Sequence, residues 1–193
     1  MSLPHLLDVD VEDVAPTIPY LRADASRMNA AAALIAQEGR RLNVGVAWTG
    51  APGNTHNARR SLPLGALAPL FALEDVRLFS LKRDGEVFEA EDAAWLPRLA
   101  QLPMRDDFDN LAALVASLDV IVSVDTSLAH LAGALGKPLL VPLAFVPDWR
   151  WLTHRADSPW YPTARLFRQR AAGDWSGPVD ELAQALRERL DGR

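Results

Sequence analysis

The sequence predicts an α/β protein with a doubly wound, mostly parallel sheet and helices over both faces, in three layers. Two observations predict it. Short apolar runs alternate with longer helical stretches along the chain, the order that βαβ units impose. The runs are also apolar almost throughout, as in Val120-Ile121-Val122-Ser123-Val124, rather than at every second residue. Strands buried on both faces have that pattern.

Taken in order, residues 1–23 carry Pro4, Pro16 and Pro19 with scattered acids and read as a lead-in. Ser26 to Gln37 is alanine-rich, has Ser26 as a candidate N-cap and stops at Gly39, so it reads as a helix. Asn43 to Trp48 is the first strand, and Thr49-Gly50-Ala51-Pro52-Gly53-Asn54 opens a polar loop that runs to Ser61. The alternation then continues. Leu64 to Leu73 reads as a helix, Val76 to Leu81 as a strand, and Asp92 to Leu99 as a short helix. Asp109 to Ser117 reads as a helix and Val120 to Val124 as a strand. Thr126 to Leu135 is a helix closed by Gly136, and Pro138 leads into a strand at Leu139 to Leu143. Ala164 to Phe167 is a last, short strand. The final helix starts at Ser176-Gly177-Pro178, with Asp180 and Glu181 read into its first turn and Arg187 and Arg189 into its last. That order of charge suits the helix dipole.

Composition limits the function. The chain has 193 residues, 49% of them hydrophobic and 23% charged, enough for one substantial core. A net charge of -5 argues against a non-specific nucleic-acid binder, although a local basic cluster can still hold phosphate. Without cysteine there are no disulfides, thiolate metal sites or cysteine nucleophiles, which fits a cytoplasmic protein. No apolar run approaches a membrane span, and Met1-Ser2-Leu3-Pro4-His5 does not resemble a signal peptide.

Ligands of open α/β sheets bind beyond the carboxyl ends of the strands, near the point where strand order reverses. Two strand ends carry suitable residues. At Asp125-Thr126-Ser127-Leu128-Ala129-His130 a buried strand meets a helix whose first N–H groups are free for a phosphate, with the Thr126 and Ser127 hydroxyls beside them. His130 lies one turn further on, at a spacing that lets it share a face with Thr126. The plainer alternative is that Asp125 caps the helix and His130 is an interior histidine. The second strand end is the loop with Thr49, Gly50, Asn54, His56, Asn57, Arg59 and Arg60, whose guanidinium forks suit phosphate oxygens.

Other motifs exclude or stay open. There is no Gly-x-Gly-x-x-Gly, P-loop or Gly-x-Ser-x-Gly, which disfavours a dinucleotide oxidoreductase, an NTPase and an α/β-hydrolase. Asp107-Phe108-Asp109 has metal-ligand spacing but precedes a helix, where Asp is a common cap. Four dispersed histidines make no transition-metal cluster. Clustered aromatics at Trp149-Arg150-Trp151 and Trp160-Tyr161 can stack on a base or sugar face, or pack late loops onto the sheet.

From about Asn43 to Leu190 the chain resembles the C-terminal half of a GT-B glycosyltransferase. It is similar to the heptosyltransferase family 9 and to the glycosyltransferase-like domains of bacterial tetratricopeptide-repeat proteins. The resemblance rests on Val44-Gly45-Val46-Ala47-Trp48-Thr49-Gly50, Arg59-Arg60-Ser61-Leu62-Pro63-Leu64, and the run from Asp125 to Pro138. Asp148-Trp149-Arg150-Trp151 and Ser158-Pro159-Trp160-Tyr161-Pro162 add to it. It implies a Rossmann-like nucleotide-sugar-binding domain over 43–193, preceded at 1–42 by a linker and helix. It also implies that Asp125, Thr126, Ser127 and Leu128 hold the diphosphate and sugar, with His130 beside them. Arg60, or Arg59, would stabilise the leaving diphosphate, and no metal or other cofactor would be needed. Ser127 stands where family 9 often has Gly, which adds a hydroxyl near the phosphates. Family members place the acceptor and catalytic base on an N-terminal half, so the expectation is a donor half, inactive by itself, taken from a longer protein. Two other readings stay open: a non-catalytic binding module on the same fold, and a sugar-nucleotide epimerase-type enzyme.

Overall fold

The computed structural model describes residues 3–13, 17–36, 42–51, 55, 57–82, 90–103 and 107–192. The strands are β1 (Leu42–Ala47), β2 (Val76–Ser80), β3 (Ala100–Gln101), β4 (Val120–Ser123), β5 (Leu139–Leu143) and β6 (Ala164–Arg168). The helices are α1 (Leu3–Leu6), α2 (Ala25–Ala36), α3 (Asn57–Arg60), α4 (Ala68–Phe71), α5 (Phe108–Ser117), α6 (Ser127–Ala134) and α7 (Ser176–Asp191).

The strands form one sheet in the order β3-β2-β1-β4-β5-β6, and every neighbouring pair is parallel. This is the expected doubly wound α/β sheet. The chain builds outward from β1 through β2 to β3, then returns to the other side of β1 and builds outward again. Strand order therefore reverses between β1 and β4, whose registers align Val44 with Val120 and Ala47 with Ser123.

Alternate residues of each strand point to opposite faces, and in the central strands β1, β4 and β5 both faces are buried. Val44, Val46, Trp48, Val120, Val122 and Leu140 pack with Leu182, Leu186 and the 3-10 turn Leu64–Leu67. On the other face Ala47, Ile121, Leu139, Val141 and Leu143 pack with Leu114, Val115, Leu128 and Ala132. Ala31 and Ile35 of α2 are buried in this second cluster, and Ser117 Oγ donates to the Met28 carbonyl at 3.2 Å, so α2 is bound to α5.

The expected elements form, with four local corrections. Asp24, not Ser26, caps α2: its Oδ1 accepts from the Arg27 N–H at 3.0 Å, and Ser26 donates to that same oxygen. The expected stop at Gly39 lies outside the described residues. Leu64 to Leu73 is a 3-10 turn followed by α4, and in place of a helix from Asp92 to Leu99 there are two 3-10 turns, Ala90–Asp92 and Leu96–Arg98, with the edge strand β3 just beyond. Pro69 and Pro97 in these stretches lack the N–H that a regular helix ladder needs. At α7 the Asp174 carboxylate accepts from the Ser176 N–H, and the first turn holds no acid, so Asp180 and Glu181 fall beyond it. Asp107 caps α5 by accepting from the Asp109 N–H at 2.9 Å, the structural reading of Asp107-Phe108-Asp109. Gly136 ends α6 with φ +69°, a conformation glycine adopts without strain.

Candidate functional site

The reversal between β1 and β4 brings the two polar strand ends side by side, and the Val124 N–H donates to the Ala47 carbonyl at 3.0 Å. The loop after β1 is pinned at its base. The Leu62 N–H donates to the Trp48 carbonyl at 3.0 Å. The buried Asp92 carboxylate accepts from Trp48 Nε1 at 2.7 Å and from the Leu64 N–H at 2.8 Å. Inside the loop Asn57 is the hub. Its Oδ1 accepts from the Gly50 N–H at 2.9 Å, its Nδ2 donates to Thr49 Oγ1 at 3.2 Å, and Ser61 Oγ lies 2.9 Å from Thr49 Oγ1.

This network sets Arg60. A Cβ at Gly50 would lie 2.6 Å from Arg60 Nη2 and 2.6 Å from Asn57 Oδ1, so a side chain there would push one or both of these groups out of place. Arg60 is half-buried, and its Nε has no hydrogen-bond partner among the described residues. A guanidinium held in this way, with donors in excess of acceptors, is suited to an incoming anion.

Arg59, Arg60 and Asp125 line one pocket of about 350 Å³, closed on its far side by Pro142, Leu143, Ala144, Val146, Pro147 and Asp148. It lies at the carboxyl ends of β1, β4 and β5, at the strand-order reversal. The lining from Pro142 to Asp148 escaped the sequence reading. Its signal was topological, because β5 is the strand next to β4 and its trailing loop must border whatever β4 borders. Asp148 itself is held by Arg150, whose N–H and Nη1 donate to Oδ1 at 3.0 and 2.8 Å.

The other sequence-predicted residues have different places. Thr49 and Gly50 stand behind Arg60 as its support. Thr126 is the N-cap of α6 with no side-chain cap bond, and its Oγ1 lies 3.1 Å from Ser123 Oγ. Ser127 is exposed, while the Leu128 side chain is buried in the core and can offer only its N–H to a ligand. The N–H groups of Ser127 and Leu128 open the helix and have no carbonyl a turn back within it. Asn54 and His56 lie outside the described residues.

His130 lies 3.8 Å by Nε2 from Asp125 Oδ1 but faces away from the first pocket. Its Nδ1 is 3.0 Å from Tyr161 Oη, and its ring stacks on Trp151 at 5.3 Å and 11°. Burial pushes the imidazole below its ordinary pKa, against the raising pull of Asp125. Burial, followed by a hydrogen bond with Tyr20, pushes the Tyr161 phenol up.

The sequence model of glycosyltransferase family 9 (heptosyltransferase) matches residues 72–141. The structure superimposes on the ADP-heptose lps heptosyltransferase II of E. coli with a TM-score of 0.60 at 17% identity, covering 93% of this chain and 56% of that one. A family 9 glycosyl transferase from Veillonella parvula gives 0.62 at 10% identity, over 90% of this chain and 54% of the other. The chain shares the α/β fold of these GT-B heptosyltransferases. E. coli heptosyltransferase WaaC, solved with ADP-2-deoxy-2-fluoro heptose, matches the GT-B-like domain with a TM-score of 0.51 at 19% identity, over 93% of this chain and 53% of WaaC. Protein FlbA of Caulobacter vibrioides is 27% identical over 176 residues, 88% of this chain and 29% of FlbA. The GT-B-like domain thus spans about half the length of the heptosyltransferases it resembles and under a third of FlbA. Among the described residues no helix is long and apolar enough to cross a membrane.

Proposed function

We propose that this domain binds the nucleotide-diphosphate sugar of a glycosyl transfer, with the diphosphate in the pocket between Arg60 and the start of α6. The observation that carries this reading is the strand-order reversal, which sets Arg59, Arg60 and Asp125 around one cavity. Arg60 and the free N–H groups of Ser127 and Leu128 would share the phosphate oxygens. The Asp125 carboxylate repels phosphate, so its part is to accept from hydroxyls of the donor sugar. Charge neutralisation falls to the guanidinium and the helix terminus, and no divalent cation is required.

The acceptor and the catalytic base would come from a second domain. The half-length coverage of the heptosyltransferases supports this, as do Phe145 and Val146, 54% and 80% exposed beside the pocket mouth. The repeat region implied by the sequence resemblance would lie in a further part of the protein. The aromatic residues leave the diphosphate pocket open, since Trp149 is 64% exposed and lines a different cavity. That favours donor binding over a non-catalytic module with an occluded site.

Calorimetric titration with ADP, UDP and GDP tests the reading. ADP comes first because structural relatives are described with ADP-heptose. At least one nucleotide should bind, unaffected by EDTA, and Arg60→Ala should cost roughly 1.5–3 kcal/mol, the worth of a charge-assisted hydrogen-bond pair. Lack of binding by all three at millimolar concentration would reject it.

A further inference from the structure

A second cavity of about 360 Å³ lies on the other side of His130, lined by Tyr20, Trp149, Arg150, Trp151, Trp160 and Tyr161. Its size is that of a small-ligand site, and its walls are almost wholly aromatic. Trp149 meets Trp160 edge-on, at 6.4 Å and 89°, so these walls form a corner and not a slot. Trp160 is fixed by its Nε1, which donates to the Arg150 carbonyl at 2.8 Å. Trp149 is 64% exposed, with the Arg150 guanidinium 4.7 Å from its ring centroid on one face.

Two further observations point to a ligand. Trp151 is 1% exposed, and its indole Nε1 has no hydrogen-bond partner among the described residues, a cost that folded proteins rarely leave standing. The polar groups around the cavity also carry little free charge. The Arg150 guanidinium is paired with Asp148 at 2.8 Å, and burial favours the neutral form of His130. The Tyr20 and Tyr161 hydroxyls and His130 form a hydrogen-bonded polar rim, in which Tyr161 Oη meets both His130 Nδ1 and Tyr20, and each hydroxyl can still take a further partner.

We propose that this cavity is a carbohydrate subsite, separate from the diphosphate pocket, that takes a neutral pyranose ring against the face of Trp149 that Arg150 does not cover. A pyranose chair has a C–H face that lies flat on an indole, and edge hydroxyls that reach the second wall and the polar rim. A flat base lacks those edge groups and favours parallel walls. A charged sugar would find Arg150 already neutralised. The two cavities share one partition: Asp125 and Asp148 face the first, and His130 and Arg150 the second. A ring held here therefore sits next to the proposed donor site, where an acceptor glycan has to arrive.

Indole N–H resonances of the 15N-labelled chain test the proposal, with methyl glucoside, methyl mannoside, maltose and chitobiose as probes and adenosine as control. The expected result is saturable shifts of Trp149, Trp151 and Trp160 with at least one sugar. Binding should be at least tenfold weaker in Trp149→Ala, recover in Trp149→Tyr, and leave ADP affinity unchanged in both variants. No shift with any sugar at 50 mM (about the weakest affinity worth measuring), or shifts produced equally by adenosine, would overturn it. The sugar-dependent shifts and their loss in Trp149→Ala are read without nucleotide, so this proposal and the donor-site reading can fail separately.

Discussion

At the scale of single residues, Gly50 and His130 carry the sharpest consequences. Gly50→Ala forces Arg60 or Asn57 aside, because both would stand 2.6 Å from the new Cβ. Nucleotide affinity should fall about as far as in Arg60→Ala, on the order of tenfold or more. Wild-type affinity in Gly50→Ala would mean that Arg60 does not need this position. His130 sits between opposing influences, and burial outweighs Asp125. The folded imidazole therefore binds its proton more weakly than the unfolded one. Between the folded pKa and the unfolded value of 6.5 the unfolded chain holds more protons, so stability rises with pH across that window and levels off above it. NMR titration of the His130 ring should give a midpoint below 6.5; a midpoint above it would show that the Asp125 attraction dominates. Arg60 and His130 were legible in the sequence as residue types at strand ends. The division of labour was not, because the four-residue spacing from Thr126 to His130 leaves side-chain direction to the packing partners. Trp151 and Tyr161 take the imidazole to the second cavity.

At the scale of elements, α6 packs closely against Tyr161 at Gly133. Glycine inside a helix is normally about 1 kcal/mol worse than alanine, so Gly133→Ala on propensity alone would stabilise. The added Cβ would meet the Tyr161 ring at 2.3 Å, a clash with a ring that His130 also holds. Overpacking of this kind costs about 1–3 kcal/mol, so the net effect should be destabilising in urea unfolding. A more stable Gly133→Ala would show that Tyr161 can move. Strands β4 and β5 and helices α5 and α6 were readable because their apolar runs are long and bounded by Gly136, Pro138 and Asp107. The stretch from Leu64 to Gln101 was harder, since Pro69 and Pro97 break regular helix while β3 is only two residues long. Caps slipped for a related reason: Asp24 and Ser26 both suit a cap, and the choice depends on which carboxylate or hydroxyl meets the Arg27 N–H.

At the scale of the whole molecule, the alternation of strands and helices predicts a parallel sheet, but not the order of its strands. Order is a property of the crossovers, and here it decides the site. With β1 and β4 adjacent, two loops 65 residues apart in sequence, at Arg60 and Asp125, face one cavity. The lining from Pro142 to Asp148 follows from the same order, since β5 flanks β4. The most direct measurement is a backbone 15N–1H NMR titration of the full chain with ADP. Shifts are expected at Gly50, Arg59, Arg60, Asp125, Ser127 and Leu128, with Trp149 and Trp160 left in place. Shifts confined to the aromatic cavity, or none at the β1 and β4 ends under saturating ADP, would contradict it.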